Sequence, residues 1–163
     1  MRRTPVWRVA ATALVTLAVA YVLLRVVESR GGTLLAVPAI AWLVELAIAG
    51  VVAVLGWNVR QYARGRRPQT DVLVAARTVV LATASSYTGA VLTGWYAAQV
   101  LLTAGDLEYA GRRDVATSAG VAALAAVVLA VVGLVAERWC EVPPPEDDDE
   151  GGPGASATSG SAA

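Results

Sequence analysis

The chain has 163 residues, with 13 arginines balanced by 13 acidic residues, no histidine and one cysteine, and 56% of it is hydrophobic, against roughly 45–50% in a soluble domain. Without histidine there is no Ser-His-Asp triad, no Cys-His pair and no histidine-containing zinc site, and one cysteine makes neither an internal disulfide nor a C-x-x-C redox motif. The composition speaks for a small multi-span membrane protein, against most familiar enzyme chemistry, and for no cofactor.

A bilayer core takes roughly 20 apolar helical residues at 1.5 Å each, so charge-free windows locate the expected spans. Residues 9–24 lie between Arg8 and Arg25, and both arginines can reach the headgroups, which gives a first helix over about 6–27. The same segment resembles a signal peptide, with Arg2, Arg3 and Arg8 ahead of the apolar run and Ala18-Val19-Ala20 as a cleavage site; the run continues past it to Val27, which suits an uncleaved span better. Residues 34–59 are apolar except for Glu45, and Pro38 suits a helix start, giving a second helix over about 38–59. Residues 78–105 and 115–136 carry no charge and predict helices over about 79–102 and 115–136. The fold expected is all-α, an integral membrane bundle of four transmembrane helices over residues 1–142 in antiparallel up-down order.

Arginine placement sets the orientation, because basic residues near span ends stay on the cytoplasmic side. Arg2, Arg3, Arg8, Arg60, Arg64, Arg66, Arg67, Arg77 and Arg138 fall on one side, and Arg25, Arg30, Arg112 and Arg113 on the other. The expectation is a bacterial cytoplasmic (inner) membrane protein with both termini cytoplasmic. Trp7, Trp57, Trp95 and Trp139 fall near expected span ends, as interfacial aromatics do. The zero net charge hides an asymmetry: residues 1–136 hold 12 Arg and 6 acids, whereas residues 137–163 hold 1 Arg and 7 acids. Residues 143–163, a proline run, five consecutive acids and a Gly/Ser/Ala stretch, have too little apolar surface to offset ordering and read as a disordered tail.

Four features stand out beside their structural readings. Small residues recur every fourth position at Ala82, Ser86, Ala90, Gly94 and Ala98, a helix-packing face that serves either the inside of one bundle or an oligomer contact. Glu45 is an acid about 10 Å inside the second helix, where an ionised carboxylate is costly and needs a partner. At comparable depth stand Tyr96 and Gln99, with Arg25 able to reach toward them, so Arg25, Glu45, Tyr96 and Gln99 form a candidate intramembrane polar cluster, as a cation or proton site or as a structural interhelix hydrogen bond. Arg77 and Glu137, at the inner ends of neighbouring helices, form a candidate ion pair that fixes register. Arg60, Arg64, Arg66 and Arg67 form a basic loop beside a span, where anionic lipid headgroups are the expected partner and nucleic acid is not.

The segments LLRVVESRGG (23–32), AARTVVLATASSYTGAVLTGWYAAQ (75–99) and AERWCEVP (136–143) together resemble the actinobacterial membrane proteins grouped as domain-of-unknown-function family 3180. The resemblance covers about residues 4–143, with Glu45 as a departure from its pattern. It implies four membrane spans and no established activity. The function expected is a non-enzymatic scaffold or regulatory subunit of a membrane complex, with a homo-oligomer or an unidentified membrane protein as partner. The alternative is an oligomeric small transporter or channel subunit that uses Glu45 as a membrane-embedded acid.

Overall fold

The computed structural model describes residues 5–63, 72–106 and 108–139, and these are helical apart from short connections. Four long helices follow one another: α1 (Val6–Ser29), α2 (Ala39–Ala63), α3 (Val72–Thr103) and α4 (Ala110–Trp139), with a short 3-10 turn at Ala104–Asp106. The helices overrun the charge-free windows; α4, for instance, starts five residues before position 115 and ends three after 136. Charged residues at helix ends do not stop a helix, since long side chains carry their charge away from the apolar stripe. Three stretches, Val6–Ser29, Ala39–Gln61 and Ala110–Trp139, are long and apolar enough to cross a membrane. The expected tail, residues 143–163, lies outside the described residues.

Local chemistry explains the α1 terminus. Gly31 has φ +80°, the left-handed backbone that glycine adopts without a Cβ penalty. This lets the Gly32 N–H donate to the Val27 carbonyl and the Gly31 N–H to that of Glu28, both at 3.0 Å, a Schellman ending that satisfies carbonyls left over at the helix end. The chain then runs irregularly to Pro38, just ahead of α2.

Contacting residues give the directions. Along α1 and α3 they rise together: Gly94 meets Ala13 and Leu17, and Ala98 and Leu102 cluster with Ala20 and Leu24. Along α2 and α4 they also rise together, from Val37 against Ser118 to Trp57 against Trp139. Across α3 and α4 they run opposite ways, since Ala82 meets Gly133 and Tyr96 meets Ala122. The spatial order is α1, α3, α4, α2, with a smaller contact from α2 back to α3. Consecutive helices α1 and α2 are therefore not the main packing partners, despite their short connection. Nine residues, Arg30 to Pro38, reach at most about 30 Å when extended, enough to carry the chain past α3, and the Val37 N–H donates to Ser118 Oγ of α4 at 3.1 Å.

The seams are built from small side chains. On α4 the buried residues Val115, Ala119, Ala122, Ala126, Leu129, Gly133 and Ala136 alternate spacings of four and three, which keeps them on one stripe, and Ala125 widens it at its middle. On α2 the buried stripe is Glu45, Ala49, Val52, Gly56 and Val59. Leu129 and Val52 are the largest side chains buried to below 2% exposure, so the helices meet nearly backbone to backbone. A Cβ added at Gly133 would stand 2.7 Å from both the Ala82 carbonyl oxygen and the Ser86 amide nitrogen, and one at Gly89 would stand 2.6 Å from the Ala130 amide nitrogen.

The ladder Ala82, Ser86, Ala90, Gly94, Ala98 advances about 40° for every four residues, and this drift gives it two partners. Its start packs on α4 and α2, through Ser86 against Gly133 and Ala82 against Val52 and Ala136. Its end packs on α1, through Gly94 and Ala98. All five residues are buried within the one chain.

This geometry sorts the glycines. Gly94→Ala and Gly133→Ala place a methyl against a neighbouring helix backbone and should each destabilise the chain by about 1–3 kcal/mol. Gly120 has nothing within 4 Å of the corresponding position, so Gly120→Ala should be neutral or stabilise by about 0.5–1 kcal/mol through helix propensity. Thermal unfolding of the three variants in one detergent reads the order; equal midpoints would refute the packing described.

Candidate functional site

Polar side chains in the seams fall into two groups. The hydroxyls of α3 bond their own helix: Ser85 Oγ donates to the Leu81 carbonyl at 2.8 Å, Ser86 Oγ to Thr83 at 2.8 Å, Thr93 Oγ1 to Gly89 at 2.7 Å and Thr103 Oγ1 to Gln99 at 2.9 Å. Each such hydroxyl hands its proton to a carbonyl that already lies one turn back, so it can sit in an apolar seam at little cost. Glu45, Tyr96 and Gln99 are too long for that device, and they are only 5%, 8% and 8% exposed.

Glu45 stands in the buried α2 stripe with Ala49, Val52, Gly56 and Val59. There the Tyr96 side chain comes close enough for its hydroxyl to interact with the Glu45 carboxylate. The Tyr96 ring is held against Ala122 and Ala126 of α4, with Trp42 and Val37 packed beside it. A tyrosine so placed gives its apolar body to one helix and its hydroxyl to another. Gln99 stands one turn further along α3, roughly 60° round from Tyr96, in the same buried 4-3 stripe that includes Thr78, Ala82, Ser85, Gly89, Tyr96 and Thr103. Among the described residues, Glu45 Oε2 and Gln99 Oε1 are buried without a hydrogen-bond partner.

Of the four residues expected to cluster, the structure brings Glu45 and Tyr96 together, sets Gln99 beside Tyr96, and leaves Arg25 out. Arg25 is on the exposed side of α1, its guanidinium 5.7 Å from the Tyr21 ring centroid and its Nε 3.4 Å from the Tyr21 hydroxyl. The α1 face that meets α3 carries Ala20 and Leu24, and a residue next to Leu24 is turned about 100° away from it. Arg77 is exposed on α3 and Glu137 half-buried on α4, with no ion pair seen between these two. An ion pair the sequence did not single out joins Arg112 to Glu28, tying the start of α4 to the end of α1; Glu28 is one of four acids near these helix ends, with Asp106, Glu108 and Asp114, so charge alone does not pick the partner.

Of the basic loop, Arg64, Arg66 and Arg67 lie outside the described residues. Arg60 is held at the ends of α2 and α4, its guanidinium 5.4 Å from the Trp57 ring centroid and 5.1 Å from that of Trp139. The two rings meet edge to face at 5.5 Å. Gly56 allows this approach, since Ala136 and Trp139 lie within 4 Å of where its Cβ would be. Arg60 is thus a clamped cation held by quadrupole attraction.

The geometry sets a test for the polar contact. Tyr96→Phe removes the hydroxyl that interacts with the buried Glu45 carboxylate and should cost about 1–3 kcal/mol. In a double-mutant cycle with Glu45→Ala the two changes should be coupled, whereas Arg25→Ala and Glu45→Ala should add independently. Coupling between Arg25 and Glu45 equal to that of the Tyr96 cycle would show that Arg25 belongs to the site after all.

Among the described residues no group of three or more His, Cys, Asp or Glu is placed to hold a metal ion. No curated protein and no solved structure matches the chain. A family model does match, described as Protein of unknown function (DUF3180), over residues 9–144. That match takes in all four helices with their polar contact and most of the chain, which therefore belongs to the DUF3180 family of proteins of unknown function.

Proposed function

We propose that the chain is a four-span protein of the bacterial cytoplasmic membrane, with both termini in the cytoplasm, that serves as a non-enzymatic scaffold or regulatory subunit of a membrane complex. The fourth span in this reading is α3. It carries more Ser and Thr than the other helices, but five of them, at positions 83, 85, 86, 93 and 103, bond to carbonyls of α3 itself, as a helix in lipid requires. Orientation is supported by the end of the bundle that gathers Trp7 with Arg8 and Trp57 and Trp139 with Arg60, the aromatic and basic pairing of an interface on the positive side.

The observation that carries the scaffold reading is the packing order. α1 and α2 flank the central α3–α4 pair and keep long apolar faces outward, including Leu14, Val15, Val19 and Val22 on α1 and Leu43, Val44, Val51 and Val54 on α2. The interior is spent on close small-residue packing. What is left to act on anything else is the pair of outer faces, suited to lipid and to the helices of a partner. The transporter reading draws on the buried Glu45 alone.

Mild-detergent purification of tagged full-length protein from its native membrane, with photo-crosslinkers at Val19 and Val51, separates the two readings. The expected result is a different membrane protein in fixed stoichiometry that crosslinks through one of these positions. Recovery of the chain only with itself, as a defined oligomer, would overturn the scaffold reading and make flux in liposomes, with Glu45→Gln as control, the deciding assay.

A further inference from the structure

The cation at the shared end of α2 and α4 is held from several sides and is given no anion. The Arg60 guanidinium lies 5.4 Å from the Trp57 ring centroid and 5.1 Å from that of Trp139, and the two rings meet at 5.5 Å. Gly56, one turn back on α2, lets α4 come this close, since a Cβ there would stand 2.9 Å from that of Ala136. Ring quadrupoles attract the charge of an arginine, but they do not replace oxygen at its five N–H donors. Among the described residues neither an acidic group nor a carbonyl supplies that oxygen to Arg60. Glu137, the acid near this end of α4, is two residues from Trp139 and so lies about 200° round the helix from it.

Depth identifies the missing acceptor. Ala39 to Arg60 covers about 30 Å along α2, one hydrocarbon thickness, so with α2 and α4 as spans the guanidinium stands at the level of phospholipid phosphates. We propose that Arg60, clamped by Trp57 and Trp139, binds the phosphate of one anionic phospholipid, of the phosphatidylglycerol class, at the joined ends of α2 and α4. A guanidinium presents its N–H groups in a planar fork that two phosphate oxygens match, and a cation held in place beforehand loses less freedom on binding. A zwitterionic headgroup brings its own cation beside the phosphate, whereas an anionic one leaves that charge for Arg60 to neutralise. Trp57 is 49% exposed and Val54, one turn further into the bilayer, is 60% exposed, so apolar surface continues inward from the clamp for the acyl chains of the same lipid. The proposal rests on α2 and α4 being membrane spans, for which both are long and apolar enough; neither the scaffold reading nor the orientation enters it.

The test adds phosphatidylglycerol or phosphatidylcholine of the same acyl chains to the full-length protein in a nonionic detergent, at about 0.3 M salt, where attraction to exposed charges is screened. Native mass spectrometry counts the lipids retained, and thermal unfolding reads the midpoint. The expected result is one phosphatidylglycerol per chain, held roughly tenfold more tightly than phosphatidylcholine, with a rise of about 5 °C in the midpoint. Arg60→Lys keeps the charge but loses the fork and its ring contacts, and should weaken phosphatidylglycerol binding roughly fivefold, as should Trp139→Leu. Arg138→Gln removes an equal charge beside the clamp and should change binding less than about twofold. Inorganic phosphate at the same ionic strength should give no rise. Lipid is counted on chains that stay folded, so a variant with a lowered midpoint still reports on the site. Equal retention of the two lipids overturns the proposal, as does an Arg60→Lys chain that binds like the original or a loss in Arg138→Gln as large as that in Arg60→Lys, both of which would assign the preference to surface charge. A rise with inorganic phosphate equal to that with lipid would assign the site to a free anion. Extraction of the chain from native membranes by detergent but not by alkaline carbonate, measured alongside, tests the spans separately from the site.

Discussion

Where α4 crosses α3, Gly133 lies against the Ala82 carbonyl and the Ser86 amide, and a few turns away Gly89 of α3 lies against Ala126 and Ala130 of α4. Each helix gives up a side chain where the other presents its backbone. This reciprocal approach is the constraint from which the remaining architecture follows. A lipid surround offers no hydrophobic drive between helices, so dispersion between closely apposed backbones and side chains has to supply the attraction. Small residues raise that attraction by shortening the distance, and they do so only at the register in which glycine faces backbone. The α3–α4 register is thereby fixed, and α1 and α2 are added to its two sides, α1 through Gly94 and α2 through Gly56.

Such thin seams leave no room to hide a polar group, and the sequence of α3 answers that with short hydroxyls that bond back one turn. The device lets α3 carry more Ser and Thr than the other helices while these hydroxyls are satisfied within the helix. Glu45 and Tyr96 follow a different logic. Their interaction crosses from α2 to α3, and a buried carboxylate makes such a contact worth little as net stability but costly to disturb from one side. It selects a register more than it adds stability, because sliding α2 by one turn would leave both groups buried and unpaired.

Much of this was legible in the sequence, for definite reasons. Charge-free windows locate the four helices because burial and lipid exclude charge alike. The four-residue ladder beginning at Ala82 announced close packing, and Glu45 announced itself as an acid in an apolar run. The Glu45–Tyr96 contact was reachable from depth alone, because α2 and α3 run in opposite directions and equal distances from one end meet. Arg25 was misplaced because depth says nothing of rotation: Leu24 faces α3, and its neighbour turns away. Arg77 and Glu137 went wrong in a similar way, as two ends at one level need not face each other. The α1–α3 neighbour relation was not legible either. It depends on which of several small-residue surfaces fit best, and a short connection argues for the wrong pair.

The two parallel pairs, α1 with α3 and α2 with α4, give the bundle two halves that meet along the α3–α4 seam. Contacts at three levels also tie the halves beyond that seam. Val52 joins Ala82 and Ala136 at the level of the α4 end, Glu45 joins Tyr96 further along, and the Glu28–Arg112 pair links α1 to α4 at the opposite end. The first is apolar and close, the last is partly exposed and therefore weak. The middle contact sets an ionisable side chain in a buried seam, where a change in polarity is felt more than at a solvated pair. If the halves of this molecule have a relative position that responds to anything, Glu45 and Tyr96 are where the response originates, because the contacts on either side have either no charge to respond with or too much solvent to make the response count.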